Sequence, residues 1–290
     1  MIVGGGLAAG RPSKVTAVLA CLLVLQACSL LGSSPSGSDP RARPPAPKAR
    51  GGGPRARGPE SWFRAACELP YQHLLRIKRG HYPGRSPDVI VIPEKPHLYG
   101  TFDWTSHSGP WNYMQEVPIV FYGPGVVRPV GELAARREVT VADIAPTVAR
   151  MVGTDMPSGR AGRPIEAALE PEARREKPRL VVVVIWDGGG TNVLQRWPQA
   201  WPFLKSIMDR GAYIDDATVG SSPSLTPPVH ATVGTGDFPS EHGIVDIPQR
   251  SGGIVADSYR DRSPQFLELP TIADLHDRRT ANAARVGMFG

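Results

Sequence analysis

The stretch RLVVVVIWDGGG, residues 179–190, decides the fold class because it joins an apolar run to a charged turn. The β-branched and aromatic residues from Leu180 to Trp186 predict a central strand that is buried on both faces. The run stops at a carboxylate, Asp187, which three glycines follow. Ligands and catalytic groups of open α/β sheets collect at the carboxyl ends of strands, so Asp187 is a candidate site residue.

A second stretch, SSPSLTPPVHATVGTGDFPSEHGIV at residues 221–245, supplies a hydroxyl group. Thr226 precedes Pro227 and Pro228, a pattern that predicts Thr226 as the N-cap of a short helix. Helix N-termini attract phosphate, but the prolines remove two N–H donors, so a bound anion needs another partner. A divalent cation held by Asp187 would neutralise that anion. It would also lower the pKa of a bound hydroxyl enough to make it a nucleophile near neutral pH.

The two stretches together carry a family resemblance. Strand–Asp–Gly, then T-x-P-x-H-A-T-x-G-T-G and P-S-x-H-G-I, resemble the alkaline phosphatase superfamily, in particular its type I phosphodiesterase/nucleotide pyrophosphatase branch. The resemblance implies a phosphoric-ester hydrolase with two divalent metal ions, expected to be zinc. By matching position, Asp187 would ligate metal, and Thr226 would be the nucleophile and also contact metal. Leu225 stands where the sulfatases of this superfamily need arginine, so a sulfatase is not expected.

A block in the first half of the chain resembles the part that normally closes this fold. It reads TSHSGPWNYMQEVPIVFYGPGVV from Thr105 and VTVADIAPTVARMVG from Val139. The resemblance implies that His107 is a metal ligand. Because the block precedes the Asp187 and Thr226 motifs, its order is that of a circular permutation, which termini lying close together would allow.

The remaining metal ligands of the family form a D-x-x-x-H motif and a D-H pair, which in a permuted chain would follow Gly290. Within the chain, Asp274-Leu275-His276-Asp277 imitates them, but it lies in a helical pattern in which two of these side chains point apart. We therefore expect a fragment or truncated product whose fold and metal site are incomplete.

The chain divides into an export signal, a tether and one domain. Residues 1–27 read as a signal peptide whose apolar run is too short to span a bilayer. The LQAC that ends it resembles a bacterial lipobox, which predicts acylation of Cys28 and an extracytoplasmic membrane anchor; the alternative is cleavage near Ala27 and free secretion. Residues 28–60 form a Pro/Gly/Arg-rich tether that cannot fold. Residues 61–290 form a single domain, made of the block 61–153, a connector at 154–178 and the block 179–290.

Charge separates the tether from the domain. Residues 1–60 contain eight Lys and Arg against two acidic residues, a net charge of +6 that equals the formal charge of the whole chain. The domain is therefore neutral overall, and we expect no nucleic-acid binding by it. The basic tether suits anionic lipid or wall polymer beside the anchor. Of the three cysteines only Cys67 would stay free in the mature chain; it is predicted to be a small core residue.

Strands that alternate with helices predict an α/β fold of the alkaline phosphatase type, with a mainly parallel sheet and helices on both faces. The predicted strands are 88–92, 117–122 and 180–186, and the predicted helices are 61–79, 141–152 with Thr140 as its cap and Gly153 at its end, 199–210, a nucleophile helix after Thr226, and 271–279.

The resulting prediction is an exported, lipid-anchored phosphoric-ester hydrolase with Thr226 as its nucleophile. Its substrate would be a phosphate monoester, diester or pyrophosphate. The alternative is a non-catalytic lipid-anchored surface protein that retains the fold without a full metal site. Two further histidines, His230 and His242, are expected to orient backbone rather than to bind metal.

Overall fold

A computed structural model describes residues 17–21, 64–97 and 107–288, which form a mixed sheet of five strands, a β-hairpin and surrounding helices. The strands are β1 Ala17–Cys21, β2 Glu116–Tyr122, β3 Gly131–Glu132, β4 Leu180–Val184, β5 Ala212–Thr218, β6 Pro248–Ser251 and β7 Ile254–Asp257. The helices are α1 Tyr71–Arg79, α2 Asn112–Gln115, α3 Ile144–Val152, α4 Thr191–Arg196, α5 Pro202–Arg210, α6 Thr226–Thr235, α7 Pro239–His242 and α8 Ile272–Arg279. In this part of the chain no helix is both long and apolar enough to cross a membrane.

The sheet has the strand order β3-β5-β2-β1-β4. Strand β2 runs antiparallel to both of its neighbours, β1 and β5. The outer pairs β1–β4 and β3–β5 are parallel. The α/β class holds, but the predicted mainly parallel sheet is not confirmed, because the central strand opposes the strands on either side of it.

Apolar side chains on both faces of β2 build the core. Ile119 and Phe121 pack into one cluster, which includes Val148 of α3. Val120 points to the opposite face and packs into a second cluster with Ile207 of α5. This alternation is the period of two expected of a strand, and it confirms that helices cover both faces of the sheet at β2.

The helix predicted after Thr140 forms as a 3₁₀ turn, Val141–Asp143, that leads into α3. Thr140 and Asp143 make a reciprocal capping box. Gly153 ends the helix with a left-handed φ of 69°, which glycine adopts without steric cost. The Asp143 carboxylate is almost fully buried and also accepts hydrogen bonds from Arg137 and from the Arg163 backbone N–H.

Strand β4 differs from its predicted role as a central, doubly buried strand. It lies at the edge of the sheet, where β1 is its one neighbour in the strand order. Leu180, Val182 and Val183 are 54%, 36% and 41% exposed. The apolar run correctly predicted a strand; burial on both faces also needs neighbours and covering helices, which a position at the sheet edge does not supply.

Two other sequence predictions are wrong. Residues 88–92 form no strand, and Val89 and Val91 are largely exposed. Cys67 is exposed rather than a core residue. Cys28 and the tether lie outside the described residues, whereas Ala17–Cys21, within the predicted signal peptide, pairs with β2 and β4.

Candidate catalytic site

Three loops at the ends of secondary-structure elements carry the predicted site residues. Asp187 follows β4, in a turn that Gly188 makes with a φ of 80°. Thr226 is the first residue of α6, and Leu225 rather than Thr226 occupies the N-cap position. The Thr226 hydroxyl is therefore not used in capping, in contrast to the sequence prediction. His107 comes from the loop that precedes α2.

The structure brings these three residues together around one carboxylate. His107 Nε2 lies 2.8 Å from Asp187 Oδ1. The Thr226 hydroxyl donates a hydrogen bond of 2.5 Å to Asp187 Oδ2. Asp187 thus lies between a histidine from one loop and a hydroxyl from the first residue of α6.

The close contacts shift the pKa of both ionisable groups. The hydrogen bond to Asp187 raises the pKa of His107 above 6.5, and this outweighs the opposing effect of burial. Burial alone would raise the pKa of Asp187, but the hydrogen bonds from His107 and Thr226 outweigh it and hold that pKa below 3.8. In the metal-free pair these opposite shifts favour the charged forms, an imidazolium on His107 and a carboxylate on Asp187.

The other nitrogen of His107 determines how the ring is presented. Nδ1 lies 2.8 Å from the backbone carbonyl of Ser224, which can only accept a hydrogen bond, so Nδ1 carries a proton. The Ser224 hydroxyl donates in return to the backbone carbonyl of His107. Metal-binding histidines commonly donate their second ring N–H to a carbonyl in this way, which leaves Nε2 for the metal. The sequence motifs did not indicate this contact, since a hydrogen bond to a backbone carbonyl leaves no sequence signal.

Two more histidines of the motif contact backbone and hydroxyl groups, as expected. Nδ1 of His230 lies 2.8 Å from the carbonyl of Thr226, one helical turn earlier. His242 is fully buried between the Thr232 hydroxyl and the Ile244 N–H. Burial lowers its pKa to about 3, so this ring stays neutral and structural.

The segment 274–277, which resembles the missing metal-ligand motifs, makes structural contacts instead. Asp274 forms a capping box with Thr271 at the start of α8. His276 Nδ1 lies 2.7 Å from the hydroxyl of Thr154, which joins α8 to the end of α3. Asp274 thus caps α8, and His276 connects α8 to the residues just after α3.

The donor set at Asp187 suits one cation better than two. Asp187, His107 Nε2 and the Thr226 hydroxyl offer two oxygens and a nitrogen, and a catalytic zinc takes about three protein ligands and one open position. Across residues 17–21, 64–97 and 107–288 no group of three or more His, Cys, Asp or Glu could hold a metal ion. The described residues therefore do not fit the two-ion site that the resemblance implies.

Comparisons with known proteins match about a third of the chain. A protein named "Calcium-transporting ATPase", from Myroides odoratus, is 38% identical over 98 residues, which make up 33% of this chain and 17% of that protein. No solved structure matches the chain. Residues 181–285 match the family model of type I phosphodiesterase / nucleotide pyrophosphatase, within the alkaline phosphatase superfamily. The resemblance is thus confirmed for the segment that contains Asp187 and Thr226, while His107 lies outside it and its role stays a prediction.

Proposed function

We propose that this chain carries the nucleophile site of a metal-dependent phosphoric-ester hydrolase, with Thr226 as the attacking residue. The observation that carries the proposal is the Asp187 carboxylate, which lies between Thr226 and His107. It is supported by the family match, which covers Asp187 and Thr226. Thr226 is exposed, so a phosphate ester can approach its hydroxyl.

Asp187 and His107 would hold one divalent cation, for which zinc is the proposed identity. When bound, the cation would lower the pKa of the Thr226 hydroxyl and neutralise part of the substrate charge. The protein side chains would orient the reacting groups. Asp187 fixes the direction of the Thr226 hydroxyl, and the Ser224 carbonyl fixes the ring of His107. Nδ1 of His230 donates a hydrogen bond to the Thr226 carbonyl and so supports the first turn of α6.

The reaction would begin with in-line attack of Thr226 Oγ on phosphorus. The Oγ–P bond forms as the bond to the leaving alcohol or phosphate breaks, and the proton of the Thr226 hydroxyl ends on that leaving group. A phosphate ester of Thr226 results, which keeps the second substituent on phosphorus when the substrate is a diester. Its hydrolysis by water would regenerate the hydroxyl. The proposed substrate class is a phosphodiester or pyrophosphate, with a monoester as the alternative.

We also propose an extracytoplasmic location through acylation of Cys28, with the basic tether against anionic lipid. The motif LQAC is its basis. Labelled palmitate should enter the wild-type chain and should not enter Cys28→Ala, which should leave the membrane fraction. A wild-type chain that takes up no label would favour free secretion.

A non-catalytic surface protein is the second candidate function. One observation favours it, namely that no cluster of three His, Cys, Asp or Glu suited to a metal occurs in the described part of the chain. The two candidates differ in whether the Thr226 hydroxyl reacts.

Transfer of phosphate to Thr226 tests the proposal directly. The full chain, supplied with Zn²⁺ and bis(p-nitrophenyl) phosphate, should release p-nitrophenol and acquire a p-nitrophenylphosphoryl adduct on the peptide that contains Thr226, as measured by mass spectrometry. Thr226→Ala should lose the adduct and Thr226→Ser should keep it, because serine retains the hydroxyl. Asp187→Asn should reduce labelling roughly 100-fold or more, as loss of a charge-stabilising group does. An unlabelled wild-type chain under these conditions would favour the non-catalytic protein.

A further inference from the structure

Two loops meet at the candidate site and must keep a fixed relative position. The histidine loop, residues 107–111, carries His107, and the nucleophile loop, residues 219–225, leads directly to Thr226. The reciprocal hydrogen bonds between His107 and Ser224 join the loops at the site itself. A second connection lies deeper in the fold and depends on one side chain.

Gln115, the last residue of α2, has a fully buried side chain that bonds to both loops. Its Nε2 donates to the carbonyl of Gly109 at 2.7 Å and to the carbonyl of Ser221 at 2.9 Å. Its Oε1 accepts a hydrogen bond of 3.0 Å from the Gly220 N–H. Both amide hydrogens and the amide oxygen are therefore used, one hydrogen on the histidine loop and the rest on the nucleophile loop.

The backbone of Gln115 and the side chain of Arg76 reinforce the same arrangement. The carbonyl of Gln115 accepts from the Val219 N–H at 2.8 Å. Arg76, buried in α1, donates to the carbonyl of Pro110 at 2.8 Å, and its own carbonyl accepts from the Ser222 N–H at 2.9 Å. Gln115 differs from Arg76 because its side chain contacts both loops, whereas Arg76 uses its side chain for one loop and its backbone carbonyl for the other.

We propose that Gln115 is a positioning residue that sets the distance between His107 and Thr226 by holding the backbones of their loops together. The role of Gln115 in catalysis rests on the proposed function, whereas its role in holding the loops rests on the hydrogen bonds described above. A buried amide with every polar atom paired is strongly directional, since leaving any of its partners unpaired in the interior is unfavourable. The fixed loops then present His107 Nε2 and the Thr226 hydroxyl to the same carboxylate.

The test compares Gln115→Met with a matched control, Gln249→Met, in the full chain. Methionine keeps the length of the side chain and removes its hydrogen bonds. Gln249 is also buried, but its amide oxygen accepts from Val245 and Ser258, away from both loops. Gln115→Glu serves as a second variant that keeps the acceptor for Gly220 and loses the donors, in case the methionine variant does not fold.

Two measurements separate positioning from general support of the fold. The first is the proton NMR signal of the His107 ring N–H, assigned by its loss in His107→Ala, which needs no metal and no turnover. The second is the affinity for Zn²⁺ alone, by titration calorimetry. Gln115→Met should lose the ring signal and weaken Zn²⁺ binding about 10- to 100-fold, as loss of a group that orients a metal ligand does. In a His107→Ala background Gln115→Met should have little further effect on affinity.

The possible outcomes are distinct. Retention of both the signal and the affinity in Gln115→Met would overturn the proposal. So would an equal loss of affinity with and without His107, or the same loss in Gln249→Met, because the amide would then act only on stability. A wild-type chain that binds no Zn²⁺ would count against the proposed function, and the ring signal would still decide the role of Gln115.

Discussion

Strands β2 and β4 are both formed by apolar runs, yet they differ in how deeply their side chains are buried. Strand β2 lies between two neighbours, and Ile119, Val120 and Phe121 are at most 1% exposed. Strand β4 lies at the edge, and three of its five residues are more than a third exposed. The candidate nucleophile site extends from the end of the less buried strand.

The difference shows that the apolar run of β4 does not determine how deeply it is buried. Val181 and Val184 of β4 pack against the two core clusters, one against each, whereas Val182 and Val183 between them are 36% and 41% exposed. Stability of the fold therefore depends mainly on β2 and its helices, whereas the position of Asp187 depends on hydrogen bonds made beyond the strand. Core and site can be perturbed separately.

The largest expected effect is on the core strand. Phe121→Ala should reduce the free energy of unfolding by about 3–5 kcal/mol, because it leaves a cavity between β2 and α3. Val183→Ala in β4 should change it by about 0.5 kcal/mol or less, since that side chain is 41% exposed. Urea unfolding followed by circular dichroism measures both. Similar losses in the two variants would mean that β4 is covered in solution.

Two carboxylates, Asp143 and Asp187, should differ in the same way, one acting on stability and the other on metal binding. Asp143 is 1% exposed and accepts from Arg137, from the Arg163 N–H and from the Thr140 N–H. Asp143→Ala should cost about 3 kcal/mol, because it leaves the backbone N–H groups of Thr140 and Arg163 without their acceptor. Asp187→Ala should cost less than about 1 kcal/mol, since the pair it breaks is partly exposed, yet it should abolish Zn²⁺ binding. Thermal melts and metal titration on both variants measure these effects. A large loss of stability in Asp187→Ala, or loss of Zn²⁺ binding in Asp143→Ala, would contradict the prediction.

The smallest expected effect is a pH dependence of stability in the presence of a chelator. The pKa of His107 is raised, so its contribution is complete below 6.5 and is lost as pH rises through the folded pKa. The pKa of Asp187 is lowered, so its contribution is present above 3.8 and is lost as pH falls through the folded pKa. Between these limits the pair should add less than about 1 kcal/mol.

Melting temperatures of the wild type and of His107→Gln across this pH range measure the effect. The difference between the two proteins should be greatest inside the window and should shrink on either side. A difference that does not vary with pH would show that the contact between His107 and Asp187 is not an ion pair.

The elements best predicted from sequence are those with local signals. Thr140 and Gly153 bracket a helix because capping and left-handed backbone depend on single residues. The strands at β2 and β4 followed from runs of β-branched residues. Strand β5, with the sequence AYIDDAT, was missed because two acidic residues interrupt its apolar pattern. The order of the strands, and with it the edge position of β4, depends on pairings between distant segments that no local pattern encodes.

The candidate site shows the same limit. The motifs predicted Asp187, Thr226 and His107, and the structure brings these three together. They did not predict Gln115 or the Ser224 carbonyl, because buried amides and backbone groups that hold loops together have no distinctive spacing. Family resemblance therefore indicates which side chains could react, whereas the hydrogen bonds of the fold determine how they are held.

The position of β1 would set folding in competition with the proposed secretion. This strand belongs to the predicted signal peptide, and it also joins β4 to β2 within the sheet. If a signal peptidase cleaves after Ala27, it removes that connection and leaves β4, which leads to Asp187, without the strand it pairs with. If the chain folds first, the same residues are committed to the sheet and are withheld from the export machinery. The order of these two events would then decide whether Asp187 reaches His107 with β1 in place or without it.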